Sequence, residues 1–142
     1  MNRNLLTLAV AVSVLAPAAA LACDGMHQQA SFEPRQATVA QVAAWTKAKA
    51  AVPVDANGQE LRSNAGVIPG AVLLTSSSEY ALSELPADKK SKLVFYCASE
   101  QCGASHAAAQ RAMQAGYTDV AVLPAGIFGW KKAGQPTAKP NS

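Results

Sequence analysis

The stretch from Leu93 to His106 constrains this chain most. Leu93-Val94-Phe95-Tyr96 is apolar at four consecutive positions and stops at Cys97. A small-residue loop follows, and an alanine-rich helical pattern begins near Ser105. Consecutive apolar positions mark a strand buried on both faces, and such strands belong to parallel sheets covered by helices. A cysteine between the carboxyl end of that strand and a helix N-terminus is placed for thiolate chemistry. The helix end offers free N–H groups and partial positive charge. That setting lowers a thiol pKa and makes the reactive thiolate available. Cys97 is therefore the expected reactive residue, with a lowered pKa.

The rest of the chain repeats the alternation. Thr38 is a good N-cap, with Val39, Val42, Ala43 and Trp45 at helical spacing and an end near Lys49. Ala51 to Asp55 reads as a strand, and Pro53 inside it points to an edge or an irregular start. Asn57-Gly58 is a turn signal, and Gln59 to Gly66 reads as a polar connection. Val72-Leu73-Leu74 is a second strand, and a short helix is expected from Ser76–Glu79 to Leu85, ended by Pro86. After the helix that carries Ala108, Ala112 and Met113, Gly116 is the expected C′ residue. Val120 to Leu123 is another buried strand, and Ile127 to Ala133 a last helix. Gly134, Pro136 and Pro140 mark an unstructured tail, with 138–142 disordered. Alternating strands and helices define an α/β fold, a single domain with a central parallel sheet and helices on both faces. Ligands bind such sheets at the carboxyl ends of the strands, where Cys97 sits.

The first residues carry a targeting pattern. Asn2 and Arg3 precede an apolar run from Leu5 to Leu15, and Ala18-Ala19-Ala20-Leu21-Ala22 offers a small-x-small cleavage site. This predicts a secretory signal peptide over 1–22, a flexible lead segment over 23–37 and a domain over 38–137. The run is short and alanine-rich for a permanent membrane span, which leaves a retained N-terminal anchor as the alternative to cleavage. The expected location is the bacterial periplasm. Cleavage would leave Cys23 first, which opens a lipoprotein alternative, a lipid anchor at Cys23. Ala20 stands where such signals usually carry Leu. The formal charge of +3 falls to +2 once Arg3 is removed, too mild to imply nucleic acid. Export means an oxidising space, and three cysteines cannot all pair within one monomer. Cys97, Cys102 and His106 match no strong zinc spacing, and no metal or other cofactor is expected. Cys23, Met26 and His27 are soft ligands whose proximity chance explains.

Five segments together resemble the rhodanese domain, the sulfurtransferase fold. Val54-Asp55 resembles its Val-Asp-Val-Arg strand, and Val67-Ile68-Pro69-Gly70-Ala71 its His-Ile-Pro-Gly-Ala turn. Val94-Phe95-Tyr96-Cys97 resembles the strand entering its active-site cysteine, and Ala115-Gly116-Tyr117-Thr118-Asp119-Val120 its helix-to-strand link. Gly126 to Pro136 resembles its closing Gly-x-x-x-Trp-x-x-Ala-Gly-x-Pro. The resemblance implies that Cys97 is the nucleophile. It takes a sulfane sulfur from a small donor such as thiosulfate, carries it as a persulfide and passes it to a thiol acceptor. Backbone N–H groups of Ala98, Ser99, Glu100, Gln101, Cys102, Gly103 and Ala104, with the Ser105 hydroxyl, would form the substrate-binding loop. Asp55 would support neighbouring loops.

The chain departs from that pattern within the loop. No arginine precedes Ser105, Glu100 adds an acid, and Cys102 is a second thiol five residues after Cys97. Asn57 and Val67 replace the arginine and histidine of the other two motifs. Three readings of Cys102 stay open: a resolving residue for a Cys97 persulfide or sulfenate, a partner in a resting disulfide, or a small buried filler. Two alternatives to the sulfurtransferase reading follow. One is a non-catalytic rhodanese-like binding module; the other is a thiol–disulfide redox protein using Cys97 and Cys102.

Overall fold

The computed structural model describes residues 32–140. The signal segment, Cys23, Met26 and His27 lie outside the described residues, as do positions 141–142 of the expected tail. In chain order the elements are β1 (Arg35–Gln36), α1 (Val39–Lys47), β2 (Val52–Asp55), α2 (Gln59–Ala65), β3 (Val72–Leu73), a 3-10 turn (Leu82–Glu84), β4 (Leu93–Tyr96), α3 (Ala104–Gln114), β5 (Val120–Leu123) and α4 (Gly126–Lys132). The strands form one sheet in the order β1-β5-β4-β2-β3, and all four pairings are parallel. The chain is thus an α/β domain with a central parallel sheet and helices on both faces.

Side-chain alternation along the strands separates two cores. Val54, Leu93, Phe95, Cys97, Val120 and Val122 face α3, through Ala108, Ala109 and Ala112. Val94, Tyr96, Ala121 and Leu123 face Val42 of α1, Ala65 of α2 and Ile127 and Trp130 of α4. All four residues of β4 and of β5 are buried, as their unbroken apolar runs require. The chain leaves β4 for α3 on one face and β2 for α2 on the other. The crevice between the carboxyl ends of these two adjacent strands is the switch point of the sheet.

Several local expectations meet a specific physical reason. Thr38 caps α1 in a full capping box with Gln41. Gly116, at φ +94°, closes α3, and Tyr117 N–H reaches back to the Ala112 carbonyl. Pro53 sits in an interior strand rather than an edge. Val52 and Ala56 donate to Lys92 and Tyr96 on the β4 side, so position 53 faces the β3 side. There β3 pairs only with Val54 and Asp55, and no ladder bond is lost. The expected helix before Pro86 is a single 3-10 turn, because Glu84 folds back to accept from Thr75 and Ala81 N–H.

Three segments differ from their sequence reading. Gln59–Ala65, taken as a polar connection, is helix α2, whose polar composition hid an inward face made of Leu61, Ala65 and the buried Arg62. Arg35 and Gln36, within the expected lead segment, form β1 beside β5. Arg35 and Lys92 both pair with Asp119. Two residues are too few for a periodic signal; the neighbouring strand supplies the order. Ala138, expected in the disordered tail, exchanges two 2.9 Å backbone hydrogen bonds with Val67. The Trp130 indole N–H also donates to the Pro136 carbonyl at 2.8 Å. Among the described residues no helix is long and apolar enough to cross a membrane.

Candidate active site

Cys97 follows the last residue of β4 and is 1% exposed, on the α3 side of the sheet. Gly126 fixes the backbone beneath it. Gly126 has φ +59°, and a methyl group there would lie 2.5 Å from the Ala98 carbonyl carbon and 2.6 Å from the Cys97 carbonyl oxygen. Only glycine allows so close an approach. The first turn of α4 then donates from Ile127 N–H to the Cys97 carbonyl at 2.8 Å and from Phe128 N–H to the Ala98 carbonyl at 3.1 Å. Both carbonyls are satisfied behind the loop.

The loop turns on one backbone bond, from Cys102 N–H to the Ser99 carbonyl at 3.0 Å. Ala98, Ser99, Cys102 and Ala104 are half-buried, Glu100, Gln101 and Gly103 are exposed, and Ser105 is buried. Ser99 spends its hydroxyl on the Gln101 side-chain carbonyl. Glu100 lines a groove of about 350 Å³ with Thr38 and Ala125, which Cys97 does not border. A larger apolar groove of about 500 Å³, between Ala43, Thr46 and Trp130, borders no residue of the loop.

The two thiols influence one another's ionisation. The Cys97 thiol lies 3.1 Å from the Cys102 carbonyl and 3.4 Å from the Ser105 hydroxyl. Burial pushes the Cys97 thiol up from its ordinary 9.0, and the Cys102 side chain adds to this; the Ser105 hydroxyl and N–H oppose both. Burial also raises Cys102, but hydrogen bonds from the Cys97 thiol and from the N–H groups of Ala98 and Ala104 outweigh it, and its net shift is downward. The lowered pKa expected at Cys97 therefore falls on Cys102. The loop folds the second sulfur into the N–H groups that the helix start provides. Both residues are free thiols.

Asp55 ends the neighbouring strand and is fully buried. One carboxylate oxygen accepts from Asn57 N–H at 2.7 Å and from Arg62 Nε at 3.1 Å. Arg62 Nη2 also donates to the Asp55 carbonyl at 3.0 Å and the Leu74 carbonyl at 2.8 Å. The Tyr96 hydroxyl accepts from Ile68 N–H at 3.0 Å. Burial, then the charge of Asp55, pushes its pKa far up. This network holds the loops after β2 and β3 together on the sheet face opposite Cys97. Sequence reasoning missed Arg62, since no pattern distinguishes it from a surface arginine. It also missed the role of Gly126, which opens the closing motif but whose contact with Ala98 no local pattern reveals. His106 is half-buried beyond Ser105.

A buried cysteine at the switch point of a doubly covered parallel sheet, under a backbone loop and a helix start, defines a thiol-centred α/β protein. The rhodanese-like domain model matches residues 38–133, and the chain belongs to that family. A thiosulfate sulfurtransferase from Pseudomonas aeruginosa is similar at 26% identity and TM-score 0.65, over 77% of this chain but 21% of its own. A Rhodopseudomonas palustris protein of unknown function, described as a possible tyrosine phosphatase, is similar at 28% identity and TM-score 0.60, covering 74% and 85% of the two chains. A rhodanese-related protein from Thermoplasma volcanium shares the fold at 23% identity and TM-score 0.61, over 75% of this chain and 99% of its own. No curated protein matches.

Proposed function

We propose that this chain is an exported sulfurtransferase that carries sulfane sulfur on Cys97 as a persulfide. The observation that carries the reading is the setting of Cys97: a buried sulfur facing the Ser105 hydroxyl, with its carbonyl tied back to Ile127. In the first step the Cys97 sulfur attacks the outer sulfur of the donor. A bond forms between the two sulfurs, and the donor's own sulfur bond breaks with its electron pair leaving on sulfite or a thiolate. The Cys97 proton passes to the departing sulfite or thiolate. The persulfide anion is held by N–H groups and the Ser105 hydroxyl. An acceptor thiol then takes the outer sulfur.

The loop from Ala98 to Ala104 contains no arginine. That favours a low-molecular-weight persulfide over the thiosulfate dianion, and it argues against a phosphatase, whose dianionic substrate needs charged donors. Export to the periplasm with cleavage after Ala22 is supported by the pattern of the first residues. The mass of the protein recovered from the periplasm tests it: a chain starting at Cys23 is expected, and a diacyl adduct on Cys23 would replace free export by lipid anchoring.

The activity is tested on reduced protein offered thiosulfate and, separately, glutathione persulfide. A mass gain of one sulfur on the Cys97 peptide is expected from the persulfide in a Cys102→Ala background, where the carried sulfur has no internal acceptor. No gain from either donor would leave a binding module instead of an enzyme.

A further inference from the structure

We infer that the site has a second activity, release of hydrosulfide driven by its own two thiols, in which Cys102 closes a disulfide onto Cys97 and expels the carried sulfur. This rests on the Cys97 persulfide reading. Three observations place Cys102 for the step. Its carbonyl lies 3.1 Å from the Cys97 sulfur, so the two residues are already in contact. The N–H groups of Ala98 and Ala104, the ones an outer sulfur on Cys97 would seek, favour its thiolate. And it is half-buried, whereas Cys97 is 1% exposed. An external thiol must reach a covered persulfide; Cys102 is inside the loop already. Gly103, which follows it, is exposed, and nothing lies within 4 Å of where its Cβ would be, so no neighbouring atom packs against the loop at that point.

The step balances within the site. The Cys102 sulfur bonds to the Cys97 sulfur, and the bond from Cys97 to the outer sulfur breaks. Its electron pair leaves on the outer sulfur, which takes the Cys102 proton and departs as hydrosulfide. Two thiols are oxidised to a disulfide while one sulfane sulfur is reduced to sulfide. A dithiol reductant resets the pair by attacking the more exposed Cys102 sulfur.

The test loads the reduced full chain and its Cys102→Ala and Cys102→Ser variants with one equivalent of glutathione persulfide. Excess donor is removed, the remaining thiols are alkylated, and peptides are mapped alongside a sulfide assay. Wild type is expected to lose two hydrogens, to show a Cys97–Cys102 linked peptide and to release at least about tenfold more sulfide than either variant. The variants are expected to keep one added sulfur on Cys97 and to unfold at the wild-type temperature. Wild type that keeps a Cys97 persulfide with Cys102 alkylatable would overturn the inference and leave the sulfurtransferase standing. Sulfur found on Cys102 would overturn it in favour of a relay. Variants that take no sulfur would remove the sulfurtransferase reading itself.

Discussion

The loops after β2 and β4 leave neighbouring strands at the same level, with Asp55 opposite Tyr96, yet they are built from opposite materials. The β2 loop buries a full charge and answers it with Arg62, which spreads three donor contacts over the Asp55 carboxylate, its carbonyl and the Leu74 carbonyl, and with the Asn57 N–H. The β4 loop contains no buried formal pair. It holds two thiols with backbone N–H groups, one serine hydroxyl and a glycine contact behind. The difference separates support from chemistry. A buried ion pair fixes the loop in one arrangement, while a pair of free thiols retains a state it can change.

The largest expected effect breaks the β4 side alone. Cys97→Ser should lower sulfur transfer on the order of a thousandfold or more, since the serine hydroxyl cannot carry the persulfide. Its unfolding midpoint should stay near wild type, because serine fills the same space. A variant that transfers sulfur at the wild-type rate would mean that the two loops do not divide the labour in this way. The mirror experiment breaks the β2 side. Arg62→Met leaves Asp55 charged and buried without its partner, and denaturant unfolding should show a loss of about 3–5 kcal/mol. Adding Asp55→Asn should restore most of that loss, because the uncompensated charge is then gone. The folded fraction of both should still load sulfur on Cys97.

Gly126→Ala tests the join between the loop and α4. The added methyl meets backbone at 2.5 Å, and the φ of +59° strains any side chain. A cost of roughly 2–4 kcal/mol is expected. Unlike Arg62→Met, it should also slow sulfur loading per folded molecule, because Cys97 and Ala98 are what must move. A smaller effect reads the thiols directly. With limiting iodoacetamide below pH 9.0, Cys102 should be alkylated before Cys97, since the loop lowers one thiol and raises the other. In Cys102→Ala, Cys97 should react faster than in wild type, because the neighbouring sulfur no longer raises its pKa.

What the sequence made legible follows from how local each cause is. The buried strands β4 and β5 were readable because four apolar residues in a row have few other fates. Thr38 and Gly116 were readable because capping is decided within a few residues. The place of Cys97 at the carboxyl end of β4 was readable from the strand, and the family from five short motifs. Helix α2 was not, because its inward face is an arginine whose partner lies on another element. Nor was β1, whose order comes from β5. The inverted thiol acidities were hidden for the same reason. The helix start predicted a favoured thiolate, but which of two sulfurs it would serve depends on how the loop closes, and that is set by Gly126 meeting Ala98 from α4.

A second carboxylate on the rim sets the scale at the small end. Glu84 is half-buried and has no cation in hydrogen-bond contact; it accepts from Thr75 N–H at 2.9 Å, the Thr75 hydroxyl at 2.7 Å and Ala81 N–H at 2.9 Å. Burial raises its pKa, but these bonds and the more distant Arg62 outweigh it, and the group lies below its ordinary 4.5. A carboxyl with a depressed folded pKa adds stability above its unfolded pKa and loses it as the pH falls through the folded value. Wild type should therefore lose an increment below pH 4.5 that Glu84→Gln lacks. At neutral pH the variant should be less stable by on the order of 0.5 kcal/mol, a solvent-screened value well below the Arg62–Asp55 effect. Titrating both variants by thermal unfolding gives the contrast. If Glu84→Gln matched the loss in Arg62→Met, burial would not be what makes the β2 loop rigid.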